Sequence, residues 1–252
     1  MKLWLKTYLV IMSLLSVKIL ASQETFFGGT AHYMYQFLSG DVSQHYGSNN
    51  NLGFNLNVKL RNNITLGVEG QFLFGSQYKD LSVLGNMVTS GGFIIGEDNS
   101  IETPELEGRG GNFFVEVGKI FPLNNKNKNS GLHIKGGVGY LFYSAYNTAD
   151  VRSVTQLSGE YFNGYNRLES GWSVNSFLGY TLYSKSKLVN GSIGLQMIYS
   201  VTKFQGVLDY STGLAHDQSA RSSFFIGPKI GMTVVLKRFM KQDPKSDGYF
   251  YN

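Results

Sequence analysis

The sequence predicts an all-β chain: eight antiparallel strands closed into a transmembrane β-barrel, behind an N-terminal signal peptide. Three observations predict it. Past a short leader, no stretch approaches the roughly 20 apolar residues that a membrane-spanning helix needs. In its place stand segments of about ten residues whose side chains alternate apolar and polar with period two. The connections between those segments alternate between short and long.

Composition agrees. Of 252 residues, 14% are aromatic and only 15% charged, below the quarter or so of an ordinary globular domain. Gly is abundant at 31 residues, Pro is rare at 4 and Cys is absent, which favours strands and turns and excludes disulfides and thiolate metal ligands. Net charge is +5, but Lys2, Lys6 and Lys18 sit in the leader; without them the balance is 19 − 17 = +2. That bias is too weak to argue for nucleic acid as a partner.

The leader carries Lys2 and Lys6, then the apolar run YLVIMSLLSV, then KILAS, with small Ala21 before Ser22. This is the layout of a cleaved signal peptide, and Tyr8–Val17 is too short to be a spanning anchor. The expected organisation is a signal peptide over 1–21, a barrel over 22–236 and a C-terminal tail over 237–252.

The eight segments follow in order. The first, FFGGTAHYMYQF, sets Phe27, Tyr33, Tyr35 and Phe37 against Thr30, His32 and Gln36. The second, NLGFNLNVKL, sets Leu52, Phe54, Leu56, Val58 and Leu60 against Gly53, Asn55, Asn57 and Lys59. The third, ITLGVEGQFLF, opposes Ile64, Leu66, Val68, Phe72 and Phe74 to Thr65, Gly67, Glu69 and Gln71. The fourth, NFFVEVGKIF, opposes Phe113, Val115, Val117 and Phe121 to Asn112, Glu116 and Gly118, with Lys119 as an exception on the apolar side. The fifth, GLHIKGGVGYLFY, opposes Leu132, Ile134, Val138, Tyr140 and Phe142 to His133, Lys135, Gly137 and Gly139. The sixth, WSVNSFLGYTLY, opposes Trp172, Val174, Leu178, Tyr180 and Leu182 to Ser173, Asn175, Gly179 and Thr181. The seventh, LVNGSIGLQMIYSV, opposes Val189, Ile193, Leu195, Met197, Tyr199 and Val201 to Asn190, Ser192, Gly194, Gln196 and Ser200. The eighth, SFFIGPKIGMTVVL, opposes Ile226, Ile230, Met232, Val234 and Leu236 to Gly227, Lys229, Gly231 and Thr233. Pro228 in it cannot donate to a ladder and suggests a bulge or irregular pairing.

Segments 2–3, 4–5 and 6–7 are joined by short polar pieces (RNN, PLNNKNKNSG, SKSK). The others are joined by long ones, near 38–50, 75–111, 144–171 and 204–221. Long loops at one end and short turns at the other is the asymmetry of outer-membrane barrels, and an even strand count places both termini on the short-turn, periplasmic side. A bilayer offers the backbone no water, so the sheet must close on itself, apolar outward. A soluble sandwich or lipocalin-like barrel is the alternative, but it would carry more charge outside and would rarely place Lys, Glu and Gly on its second face. Outward aromatics fall near segment ends, as rings at a lipid boundary do: Tyr35, Phe37, Phe74, Phe142, Trp172 and Tyr199 at the long-loop end, Phe27 and Phe121 at the other.

KIGMTVVL, with Lys229, Gly231, Val234 and Leu236, resembles the C-terminal insertion signal of bacterial outer-membrane proteins, with aliphatic residues at its last two alternate positions. Together with QLSGEYFNGYNRLESGWSVNSFLGY, LVNGSIGLQMIYS and the aromatic tail YFYN, the mature chain resembles the OmpA-like eight-stranded outer-membrane barrels, including those of Bacteroidota. The resemblance implies the cell outer membrane of a Gram-negative envelope. It implies no reaction, because a fold does not fix a function.

Chemistry-bearing residues are sparse. There is no HExxH and no histidine pair at metal spacing, so neither metal nor cofactor is expected. The nearest catalytic grouping is Asp209, Ser211, His216 and Asp217 in LDYSTGLAHDQ, but a His–Asp neighbour pair falls far short of a positioned triad, and the stretch reads as an ordinary polar loop. The stronger feature is an interior charge network: Glu69, Glu116 and Lys135 near mid-strand on successive segments, Lys229 at similar depth on the eighth, and His32 beside it if the barrel closes. Two acids and two bases balance, and a paired network is tolerable where a lone charge is not. Its alternative is a selectivity ring in a water-filled pore. The expected function is a non-enzymatic outer-membrane barrel, a structural or accessory subunit of an envelope complex, with a polar plugged interior and long extracellular loops. Its expected partners are the lipid bilayer and, through the loops, envelope proteins. A small-solute channel, or a rim-active lipid hydrolase or protease, are the alternatives.

Overall fold

In a computed structural model, residues 25–79, 81–125, 127–147, 154, 165, 167–184, 190–206, 208–209, 213–215 and 217–239 are described. The expected signal peptide and most of the tail lie outside them. Eight long strands form the sheet: β1 Thr25–Gly40, β2 Asn49–Lys59, β3 Ile64–Gln77, β4 Leu106–Pro122, β5 Gly131–Asn147, β6 Glu169–Tyr183, β7 Asn190–Phe204 and β8 Arg221–Phe239. Each pairs antiparallel with its neighbours in sequence, and β8 returns to β1, so the sheet is a closed up-and-down barrel. The eight-stranded part of the resemblance is met.

The side-chain period sets the two faces. Residues facing out are exposed and apolar on every strand, from Leu52, Val68 and Val115 to Val138, Val174, Leu195 and Met232, with Trp172 74% exposed. Tyr35 and Phe37, Phe72 and Phe74, and Tyr140 and Trp172 form ring pairs on this face. Among the described residues no helix is long and apolar enough to cross a membrane.

Several strands run past the alternating stretch. β4 starts at Leu106 and not near Asn112, and β8 ends at Phe239. Pro228 faces outward, and the β1–β8 ladder keeps one register on both sides of it (Met34 opposite Lys229, Phe37 opposite Ile226). The irregular pairing expected there is a gap in this ladder at Tyr35/Pro228 and Gln36/Gly227; the register shifts fall elsewhere, at Phe27/Gly28 and at Leu73/Ser76 between β3 and β4. Proline has no N–H to give the ladder, so pairing lapses beside it and resumes in the same register.

The two ends differ. At the short-turn end, Asn63 takes a left-handed conformation (φ 63°), its carbonyl accepts from Ile120 N at 2.9 Å and its side-chain amide donates to Lys128 O at 2.8 Å. Asn127 donates to Tyr183 O at 2.9 Å. At the long-loop end, a one-turn helix α1 (Val42–His45) folds over the rim. Asp41 Oδ2 accepts from Ser222 N at 2.7 Å, Gly47 N donates to Gln77 O at 2.9 Å, and Lys79 Nζ donates to Ser43 O at 2.9 Å.

Candidate functional site

The site with the most chemistry is the bore itself. Glu69 on β3 is fully buried and is its hub. Lys229 Nζ on β8 donates to Glu69 Oε1 at 2.7 Å, and Lys135 Nζ on β5 lies 3.6 Å from Glu69 Oε2. Lys135 also donates to Glu116 Oε2 on β4 at 2.9 Å. Glu116 accepts from Asn55 Nδ2 at 2.9 Å and from Asn175 Nδ2 at 2.7 Å. Gln196 Nε2 reaches Glu69 from β7 at 3.3 Å, and Gln71 connects Asn51, Gln196 and Glu69. Each carboxylate thus meets a lysine and at least one amide, which lowers the cost of its burial.

The structure brings all five sequence-predicted residues together. His32 on β1 makes no side-chain hydrogen bond; its Nε2 is 3.7 Å from Glu69 Oε1. His133, named from sequence only as an inward residue, sits between two threonines, 3.0 Å from Thr65 Oγ1 and 2.9 Å from Thr181 Oγ1. Phe177 closes one side, its ring centroid 5.2 Å from Lys135 Nζ and 6.0 Å from Lys229 Nζ. The space left among these groups is a polar cavity of about 30 Å³.

The inward glycines have a specific place here. His32 stands directly opposite Gly53 and Gly231, Glu116 opposite Gly67 and Gly137, Lys135 opposite Gly118, and Lys229 opposite Gly194. A Cβ on Gly137 would lie 2.8 Å from Asn175 Oδ1 and 3.0 Å from Glu116 Cγ; one on Gly118 would lie 2.7 Å from Lys135 Cγ. In a bore this narrow, these four side chains occupy volume that a cross-strand glycine gives up, whereas Glu69 stands opposite Asn55 and Phe114.

Apolar layers bound the polar one, and these the sequence reading passed over. Toward the long loops, Leu73, Phe114, Leu141, Ile198 and Phe225 are buried inside the barrel, continuous with Val42, Tyr46, Tyr78 and Tyr143 under the loops. Tyr46 packs edge-on against Tyr78 and Tyr143, with centroids 4.8 and 4.5 Å apart. Its burial, with the two neighbouring phenols, holds its hydroxyl well above the ordinary tyrosine pKa. Toward the short turns, Phe26, Ile120 and Tyr183 form a second cluster. Lys59, 0% exposed, lies over Phe26 at 5.4 Å and donates to Asn129 Oδ1 at 2.9 Å. Phe114 and Ile120 occupy inward positions of NFFVEVGKIF, so strict counting by two would have found them.

The loop grouping does not assemble among the described residues. Ser211 and His216 lie outside them, and Asp217 turns its carboxylate to Ser219, accepting from N at 2.9 Å and Oγ at 2.7 Å. Among the described residues no group of three or more His, Cys, Asp or Glu is placed to hold a metal.

No protein-family model and no curated protein matches the chain. Solved structures similar to it include Neisserial surface protein A, at TM-score 0.44 and 9% identity over 83% of this chain and 97% of that one. Ail, the attachment invasion locus protein of Yersinia pestis, in complex with the heparin analogue sucrose octasulfate, aligns at TM-score 0.37 and 9% identity over 84% and 99%. The outer membrane protein OprG from Pseudomonas aeruginosa aligns at 0.35 and 9% over 84% and 93%. Likeness at this level carries no argument about function, which rests on the chain's own residues.

Proposed function

We propose that this chain is a non-enzymatic outer-membrane barrel with a plugged bore, a structural or accessory subunit of an envelope complex that works through its long-loop end. One observation carries the reading: polarity is inverted, with an exposed apolar belt on all eight strands and the charges inside. Monomeric soluble proteins rarely expose contiguous apolar surface beyond a few hundred Å². In a bilayer the same belt is the favourable surface, and closure leaves no backbone edge unpaired. Short turns facing the periplasm would put both mature termini there, after removal of 1–21.

The plug is supported by the apolar layers above and below a charge-matched middle. The cavity of about 30 Å³ has room for a water or two, since each needs at least about 10–15 Å³, but none for a hydrated solute. Planar-bilayer recording of the refolded barrel decides between plug and small-solute channel: no unitary conductance is expected, and steady ion-selective openings would replace this reading with the channel. Location is checked separately. The mature protein should begin near Ser22 and fractionate with the outer membrane; recovery in the soluble fraction would overturn it.

A further inference from the structure

Lys119 stands on the lipid face. It points outward from β4, half-buried, near the short-turn end of the belt, with Ile64 and Ile134 as its cross-strand neighbours. The outward positions on either side of it along the strand, Val117 and Phe121, are exposed and apolar. Asn63 brings two more bases to this corner. Its carbonyl accepts from Ile120 N, next to Lys119, and its side-chain amide donates to Lys128 O. Arg61, exposed, lies two residues before it in the same turn. Leu123, 70% exposed, extends the apolar surface of the belt into the connection that carries Lys128.

Among the described residues nothing neutralises this corner. The side chains of Arg61, Lys119 and Lys128 have no hydrogen-bond or ion-pair partner there. The described strand ends and turns on this side, within 25–29, 57–67, 117–135, 178–194 and 231–239, contain no Asp or Glu. Glu69 and Glu116 sit deeper, in the bore, held by Lys229 and Lys135. Glu24 and Asp243, which border this end in sequence, lie outside the described residues. A lysine on a lipid-facing wall lowers its cost by carrying its ammonium along the stem to headgroup level. The group that meets it there is a phosphodiester, and three bases without an acid favour a lipid of net negative charge over a zwitterionic one. A soluble anionic polymer would meet the turns, but not a side chain set among belt residues as Lys119 is. Resting on the outer-membrane reading, we infer that the corner of Arg61, Lys119 and Lys128 binds the phosphate headgroup of an anionic phospholipid in the leaflet at the short-turn end, with its acyl chains against Ile64, Val117 and Ile134.

The test uses the mature chain carrying Trp172→Phe and Val117→Trp, so that one indole reports on this corner. It is refolded into phosphatidylcholine nanodiscs that contain either brominated phosphatidylglycerol or brominated phosphatidylcholine. The anionic lipid should quench the indole at roughly tenfold lower mole fraction, a preference that added salt weakens. Arg61→Gln, Lys119→Gln and Lys128→Gln together should abolish the preference, each charge contributing roughly fivefold or less. Arg61→Gln with Lys128→Gln leaves the belt untouched and should lose part of it, while Lys119→Arg should keep it. Thermal unfolding of each variant reports that the barrel is intact. Equal quenching by the two lipids, or a preference that survives the triple change in a folded barrel, would overturn the proposal. So would its loss in inorganic phosphate but not in sodium chloride of equal ionic strength, which would make free phosphate the ligand. Binding of purified peptidoglycan that the triple change removes, without any lipid preference, would reassign the corner to the cell wall. Fractionation tests the outer-membrane reading and does not enter the quenching, so the two fail separately.

Discussion

The polar middle of the bore and the apolar layer above it are built by the same strands, often two residues apart. β4 carries Glu116 in one and Phe114 in the other; β7 carries Gln196 and Ile198; β8 carries Lys229 and Phe225. The middle layer is held by matched charges and amides, the upper by contact area. The inner face of a small barrel is therefore defined by enclosure, not by polarity. Whatever stands there must be either paired or packed.

Breaking the pairing should cost most. Lys229→Met strips Glu69 of its 2.7 Å partner and leaves two carboxylates with one lysine. Removing one member of a buried pair costs about 3–5 kcal/mol. Adding Glu69→Gln leaves Lys135 and Glu116 as a balanced pair, so part of that loss should return. Urea unfolding in lipid measures all three variants, and strictly additive losses would dissolve the distinction between the layers. The belt supplies the next effect. Val68→Arg places charge among lipid-facing residues at a cost of about 2–4 kcal/mol, while Asn57→Arg, inward and only partly buried, should cost clearly less. Equal folding yields would mean that the faces are misassigned. In the apolar layer Ile198→Val should cost only about 0.5–1.5 kcal/mol, a graded packing loss that no second substitution rescues as charge removal does. The smallest change sharpens the polar side. Thr30 and Thr233 share a hydrogen bond of 2.8 Å across the closing seam, so replacing both with Val should be close to neutral, while Thr233→Val alone should cost more.

The outward positions and the five interior residues were legible because period two assigns them without tertiary information. Lys229 and His32 needed only the further assumption that the first and last strands meet. The apolar layers were harder to see. Phe114, Ile120 and Phe177 stand on the face that the alternation labels polar, and a scan that sorts residues by type reads FFV or FL as continuous grease. Strand ends were blurred for a different reason. LEGRGG, 106–111, has no apolar alternation to show, yet its ladder with β5 continues. The pattern is imposed by the surroundings of the belt, whereas backbone pairing continues wherever a partner strand does. The small ribbon in which Ile94–Ile95 pairs with Ile101–Glu102 was visible only as GGFIIG; which of its isoleucines is buried depends on the loop core beneath.

The glycines opposite the large inner side chains also bear on assembly. A strand that slips by one residue turns its lipid face into the bore and is rejected by hydrophobicity alone. A slip of two keeps every face correct, so the alternation cannot detect it. Steric bulk can. Shifting β5 by two against β4 one way sets Lys135 directly against Glu116, and the other way sets Phe114 against Leu141, where glycine now faces Lys135, Glu116 and Phe114. Shifting β2 against β1 puts Asn51 or Asn55 in the place of Gly53, which His32 already fills. Vacant positions along the bore thus act as alignment marks, and at these two seams a slip that keeps the faces still crowds the bore.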